Sequence, residues 1–157
     1  MFIVASQNKK TTLLGRNKQQ FASILRWMSF ANQEVILPLS GWFRPFIGFE
    51  RYDKRAVEVF SKSTHERLGF LEKHLTRNTY LVGDSLSLAD IFFAGIMTRG
   101  FASVLDSSVR AKYPAFMKWH SVIINQPFYK AVNQPVLIDE ARKFDPTEEA
   151  AEPQGKK

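Results

Sequence analysis

The chain has 157 residues and a mass of 18.1 kDa, which suits one domain and leaves no room for two of ordinary size. Its 45% hydrophobic content and 14 Phe residues exclude a disordered chain, while the absence of Cys excludes disulfides, Cys-ligated metal sites and thiol nucleophiles. The N-terminus does not resemble a signal peptide, and no window approaches the ~20 apolar residues of a membrane span. We therefore expect a soluble cytoplasmic protein.

The net charge of +7 and the pI of 9.8 raise the question of nucleic-acid binding. Residues 144–157 carry −2, so residues 1–143 carry +9. The basic residues occur singly or in pairs, such as Lys54-Arg55, and do not form the dense run of a nucleic-acid arm. We predict a solvated cationic surface that attracts acidic partners, without direct DNA binding.

Helical spacing of apolar residues predicts a first helix from about Lys18 to Val35, ending before Pro38. Its apolar face is expected to hold Phe21, Ile24, Leu25 and Met28.

The segment from Pro38 to Tyr52 is interrupted by Gly and Pro, which predicts a loop. The loop is rich in aromatic residues: Trp42, Phe43, Phe46 and Phe49. These side chains either fill the top of a helical bundle or line an apolar pocket or docking surface.

A second helix is predicted over about Asp53 to Thr76, with Gly69 as its weak point. The third helix, from Ser87 to about Leu105, has the clearest start in the sequence. Ser87 and Asp90 have the spacing of a capping box, and Leu86 and Ile91 have the spacing of a hydrophobic staple.

Pro114 and Pro127 mark the first turns of a fourth and a fifth helix. After Pro135, the apolar residues 136–138 are expected to pack back on the bundle. Residues 144–157 are rich in Pro, acids and Lys, which predicts a disordered charged tail or linker. The predicted class is all-α, a bundle of about five helices.

The three histidines, His65, His74 and His120, are the candidates for acid–base chemistry near neutral pH. His65-Glu66 opens like a zinc-protease motif, but Gly69 stands where the second His is required. No phosphate loop or nucleophile elbow occurs. We predict no catalytic residue and no metal site.

Residues 81–90, LVGDSLSLAD, resemble the helical C-terminal domain of the glutathione S-transferase superfamily, together with YPAFMKW at 113–119 and NQP at 125–127. Within that superfamily, residues 25–32 and 78–83 look most like the elongation factor 1 gamma family in its fungal form, as do residues 42–45 and 124–127. The resemblance covers about Val4 to Asp145. It implies a linker remnant at 1–16, a helical domain at 17–143 and a tail at 144–157.

The resemblance has functional implications. Transferases bind glutathione mainly through a thioredoxin-like domain, which this sequence does not contain, so no cofactor is expected unless that domain is supplied. The gamma-family likeness implies a non-catalytic module in the translation elongation factor 1 complex, with nucleotide-exchange subunits and aminoacyl-tRNA synthetases as partners. The alternative is the helical half of a transferase, which contributes the electrophile pocket only. An exposed apolar face on the first helix and the aromatic loop predicts a homo- or hetero-oligomer.

Overall fold

The protein is built from helices, as seen in a computed structural model that describes residues 2–8, 11–132, 135–141 and 143–144. Within these ranges there is no β-strand, and the predicted all-α class is confirmed. The helices are α1 (Phe2–Ser6), α2 (Lys18–Phe30), α3 (Ile36–Phe43), α4 (Lys54–Leu75), α5 (Leu88–Phe101), α6 (Ser107–Arg110), α7 (Pro114–Ile124) and α8 (Pro127–Val132). The five predicted helices correspond to α2, α4, α5, α7 and α8.

The sequence predicts that the first helix stops before Pro38, and this is wrong, because the chain stays helical through Pro38. After α2, residues Ala31–Val35 form a π-helical turn, in which the Ile36 N–H donates to the Ala31 carbonyl five residues earlier. α3 then begins afresh, so Pro38 lies in its first turn, where a missing N–H costs little.

The predicted loop from Pro38 to Tyr52 is wrong for most of its length. α3 continues to Phe43, and a 3₁₀ turn occupies Arg44–Ile47. Gly48, with φ of 73°, ends this turn in the left-handed conformation that favours glycine.

The buried face of α2 also differs from the prediction. Ile24 and Trp27 face the core, whereas Phe21 and Leu25 are each 39% exposed. The stripe continues through Ala31 and Val35 in the π turn. The predicted set therefore included the flank of the apolar stripe and omitted Trp27.

α3 packs closely against α4 and against α5, at one glycine in each case. A Cβ at Gly41 would lie 2.4 Å from the Phe60 ring of α4, and a Cβ at Gly100 of α5 would lie 2.8 Å from Leu39. Small residues at these positions therefore allow the helix backbones to pack closely. α5 is central, with Phe93, Met97 and Phe101 among its buried residues, as its sequence predicts.

The backbone after α8 docks on the bundle, but the apolar packing predicted for residues 136–138 is only partly present, because Val136 is 62% exposed and Leu137 is 40% exposed. The Ile138 N–H donates to the Phe101 carbonyl at 3.2 Å, and the Arg110 guanidinium donates to the Ile138 carbonyl. Of the predicted tail, only Phe144 is described, and its ring stacks on Tyr52 with centroids 3.8 Å apart. The rest of the tail lies outside the described residues. None of the described helices is long and apolar enough to cross a membrane.

Candidate interaction surface

The capping box predicted at the start of α5 is present, and its carboxylate does more than cap the helix. Asp90 is fully buried, and its Oδ2 accepts from the Ser87 N–H at 2.9 Å and from the Ser87 hydroxyl at 2.7 Å. Its Oδ1 accepts from the Leu81 N–H at 2.9 Å and from the Trp119 indole N–H at 2.8 Å. One carboxylate therefore joins the loop before α5, α5 itself and α7.

The remaining residues of the predicted motif, Leu86 and Ile91, are both half-buried. Leu86 packs against the core. Contact between the two as a hydrophobic staple stays a prediction.

The predicted aromatic residues of the 42–49 segment are not equally exposed. Trp42 is buried beside His65, with ring centroids 5.3 Å apart. Phe43 and Phe46 are half-buried, and Phe46 packs edge-on against Tyr52. Phe49 is 79% exposed. Three of these side chains thus pack at least partly inward, and Phe49 alone of the four is largely exposed.

The histidines of α4 are held by other parts of the bundle. His65 Nδ1 and the Tyr113 hydroxyl are hydrogen-bonded at 2.7 Å, and His74 Nε2 lies 3.2 Å from the Leu81 carbonyl. Burial, and secondarily the nearby Lys112, lowers the pKa of His65. Both histidines of α4 therefore have structural contacts within the bundle.

His120 of α7 is fully buried, and neither ring nitrogen has a hydrogen-bond partner among the described residues. The rings of Phe101, Phe116 and Trp119 surround it, with centroids 4.3, 6.3 and 6.4 Å away. Burial lowers the pKa of His120 to about 4, so the imidazole is neutral at pH 7. It is a core side chain and is not accessible to a substrate.

At the edge between α2 and α4, the exposed Phe70 packs near the half-buried Phe30 and the buried Trp27, and we call these three residues the α2–α4 face. Phe70 is 55% exposed and lies 5.3 Å from Phe30 and 5.9 Å from Trp27, measured between ring centroids. Beside it, Arg67 forms ion pairs with Glu34 at 3.1 Å and Glu66 at 3.0 Å. An apolar centre with a charged margin has the composition of a protein-binding surface.

Sequence reasoning did not find the α2–α4 face. Phe70 follows Gly69 and lies outside the buried stripe of α4, which includes Val57, Leu68 and Leu71. A large aromatic residue placed outside the buried stripe of an amphipathic helix is the signal that could have revealed it. No cluster of three metal-ligating side chains occurs within the described ranges.

The family follows from a match of residues 19–127 to the model of the glutathione S-transferase C-terminal domain. The chain belongs to this family. In glutathione S-transferase C-terminal domains the fold is all-α, as observed here, and no thioredoxin-like fold is found among the described residues.

Individual relatives of this glutathione S-transferase C-terminal domain fall into two groups. Glutathione S-transferase psoE of Aspergillus fumigatus is 38% identical over 140 residues, which is 88% of this chain and 59% of that protein. Elongation factor 1-gamma of Carassius auratus is 36% identical over 146 residues, which is 92% of this chain and 33% of that protein. The chain thus spans less than two thirds of the length of both relatives.

A solved structure resembles most of the chain. The glutathione-transferase-like domain of elongation factor 1-gamma from Saccharomyces cerevisiae superposes with a TM-score of 0.79 and 30% sequence identity. The match covers 85% of this chain and 63% of that one.

Proposed function

We propose that the chain is a non-catalytic protein-interaction module that supports assembly of a translation elongation factor 1 complex in the cytoplasm. Its partners are nucleotide-exchange subunits and, beyond them, aminoacyl-tRNA synthetases. The likeness to elongation factor 1-gamma in sequence and in backbone supports this assignment. The single observation that carries it is the α2–α4 face.

Exposure of the Phe70 side chain to water is unfavourable. This side chain is 55% exposed and in tilted contact with two further aromatic rings, so its removal from water by a partner stabilises the complex. Aromatic residues at the centre of an interface supply much of its binding energy, and surrounding polar groups exclude water. Arg67, held between Glu34 and Glu66, supplies such a polar margin.

Charge favours an acidic partner. Residues 1–143 carry +9, and α4 exposes several cations along its length: Lys54, Arg55, Lys62 and Lys73. An acidic subunit is attracted to such a surface before the apolar groups meet.

The experiment is a pull-down of a purified nucleotide-exchange subunit by the full chain, by Phe70→Asp and by Val59→Asp. Val59 is the matched control, because it is also on α4 and is 65% exposed but lies outside the α2–α4 face. Phe70→Asp is expected to lose the subunit, and Val59→Asp is expected to retain it. Failure of the unmodified chain to enrich the subunit above a charge-matched control protein contradicts the proposal.

A second candidate function is favoured by the fungal transferase at 38% identity. In this proposal the chain is the helical half of a glutathione S-transferase and contributes the wall of an electrophile pocket. Glutathione activation then depends on a thioredoxin-like domain. The test is turnover of 1-chloro-2,4-dinitrobenzene with glutathione, by the chain alone and with an added thioredoxin-like domain of a fungal transferase. Activity only in the mixture favours this candidate, and activity of neither sample favours the first.

A further inference from the structure

The chain after α8 passes the corner between α5 and α6 and then reaches the segment before α4. We call its described residues, 135–141 and 143–144, the strap. At the corner, the Ile138 N–H donates to the Phe101 carbonyl at 3.2 Å. The Asp139 carbonyl accepts from Ser107 twice, from its N–H at 3.1 Å and from its hydroxyl at 2.7 Å. The strap is therefore bound here through its backbone.

Two charged side chains of the corner also contact the strap. Arg110 donates to the Ile138 carbonyl and lies 3.7 Å from the Asp139 carboxylate. The Asp106 carboxylate accepts from the Ala141 N–H at 3.4 Å. Because the Asp139 side chain is 94% exposed, water screens its ion pair, which contributes little to stability. Hydrogen bonds to the strap backbone are thus the main contacts at the corner.

The far end of the strap lies on an aromatic pair. The Phe144 ring stacks on Tyr52, with centroids 3.8 Å apart and an angle of 12° between the ring planes. The Phe46 ring meets Tyr52 edge-on, with centroids 5.8 Å apart. An ion pair of 2.8 Å between Arg44 and Glu50 holds together the segment on either side of Phe46. Phe144 thus covers one face of the Tyr52 ring.

The strap buries little apolar surface. Val136 and Leu137 are exposed, and Ile138 is half-buried. No described side chain of the strap belongs to the buried core, whereas Phe101 and Leu105 at the corner are part of it. Since burial of apolar surface is the main source of stability, a segment with little of it opens at a lower free energy than the core does.

The corner has contacts of its own that do not involve the strap. Arg110 also donates to the Leu105 carbonyl at 2.9 Å, and Asp106 also accepts from the Val109 N–H at 2.9 Å. These bonds lie within residues 105–110, so they are not lost when the strap leaves. Separation of the strap therefore leaves the contacts within α6 and its cap intact.

We infer that the strap opens and closes as one unit on an intact bundle, and that Phe144 closes the aromatic site of Tyr52 and Phe46. In the closed state this site is occupied by a ring of the same chain. In the open state the face of Tyr52 and the two donors of Ser107 are exposed to solvent. The strap thus controls access to both, and this device does not depend on the partner proposed for the α2–α4 face.

The test is hydrogen exchange of the full ¹⁵N-labelled chain, followed by NMR at urea concentrations below the unfolding transition. The Ile138 amide reports on the strap, and the Ser107 amide reports on the corner, since its hydrogen bond ends at Asp139. Both amides are expected to show the same opening free energy, lower than that of Met97 in α5 and nearly independent of urea. Exchange of Ile138 with the free energy and urea dependence of Met97 would overturn the inference, as would a complete lack of protection at Ile138 or Ser107.

Substitutions at the two ends of the strap test whether it opens as one unit. Ser107→Ala removes one hydrogen bond at the corner, and Tyr52→Leu removes the ring stack at the far end. Each is expected to speed exchange of the Ile138 amide by roughly twofold to tenfold, as for the loss of one hydrogen bond or one aromatic contact. Unchanged exchange of Ile138 in Tyr52→Leu would show that the two ends are not coupled and would overturn the inference.

Two matched controls accompany these variants. Thr76→Ala also removes a bond from a hydroxyl to a carbonyl, of 2.8 Å, but at the end of α4. Phe49→Leu also replaces an aromatic ring of the segment before α4, but one that is largely exposed. Both should leave exchange of the Ile138 amide unchanged, because neither residue contacts the strap. Acceleration in these controls equal to that in Ser107→Ala and Tyr52→Leu would contradict local opening.

Discussion

The indole N–H of Trp119 donates to the buried carboxylate of Asp90 at 2.8 Å, across 29 residues of sequence. The same carboxylate accepts three further hydrogen bonds from Leu81 and Ser87. Asp90, which caps the start of α5, thus also holds α7 and the loop before α5 in place. The stability of the bundle therefore depends more strongly on this side chain than it would on a helix cap at the surface.

Asp90→Ala should therefore cost more than a lost cap. Capping alone accounts for about 0.5–2 kcal/mol, but the substitution also leaves the buried donors of Leu81 and Trp119 without an acceptor. We expect a loss of roughly 3–5 kcal/mol in the free energy of unfolding, measured by urea denaturation.

Asp84→Ala is the control for this measurement, because Asp84 lies in the same loop with a side chain 77% exposed and a 3.7 Å contact to Arg16. It should change the free energy of unfolding by no more than about 0.5 kcal/mol. Equal effects of the two substitutions would show that the Asp90 hydrogen bonds do not stabilise the fold.

His120 should make the protein less stable in acid. Its pKa is about 4 in the folded state, against 6.5 for the unperturbed side chain, so the unfolded chain binds the proton more readily. This group leaves stability unchanged above pH 6.5 and lowers it as the pH falls from 6.5 towards 4. The integrated loss at pH 4 is about 3 kcal/mol.

His120→Phe isolates this contribution. The lowered pKa of His65 acts in the same direction, but it is common to both proteins and cancels in the comparison. Urea denaturation at pH 7.5 and 4.5 should show a smaller decrease for the variant than for the unmodified chain. Parallel decreases in the two proteins would mean that His120 is solvated or hydrogen-bonded in solution.

Two glycines should respond in opposite ways to replacement by Ala. At Gly41 the new Cβ would lie 2.4–2.7 Å from the Phe60 ring, so either this ring must shift or α3 and α4 must separate, at a cost of about 1–3 kcal/mol. At Gly69 no atom lies within 4 Å of the new Cβ, and the helix should gain about 0.5–1 kcal/mol. Thermal denaturation of both variants measures the difference, and a stabilising Gly41→Ala would disprove the close packing of α3 on α4.

The α2–α4 face should also drive self-association in the absence of a partner. Light scattering at increasing concentration is expected to show a rising mass for the unmodified chain and a constant monomer mass for Phe70→Asp. A monodisperse monomer of the unmodified chain at high concentration would show that the α2–α4 face does not drive self-association.

The sequence predicts well those features of the bundle, such as helix starts, that depend on residues close together in the chain. Ser87 and Asp90 of the capping box are three residues apart, and α4 begins directly after Asp53, where the sequence predicts the start of a helix. The bond from Trp119 to Asp90 spans 29 residues and has no local signature, so it appears only when the fold is known.

The errors around Pro38 have a physical origin. Proline ends a regular helix, but the π turn at Ala31–Val35 shifts the hydrogen-bond pattern so that Pro38 enters a new first turn. Helical periodicity carries no information about such a turn. The exposure of Phe70 is only partly signalled in the sequence. Its place outside the buried stripe of α4 indicates it, but hydrophobicity alone does not say which apolar side chains the bundle leaves at its surface.

Isothermal titration of the full chain with a purified nucleotide-exchange subunit measures the proposed interaction most directly. We expect saturable binding with a Kd of about 10 µM or tighter, and a clear loss of affinity in Phe70→Asp but not in Val59→Asp. The absence of binding by the unmodified chain at concentrations of about 100 µM, or equal binding by both variants, would contradict it.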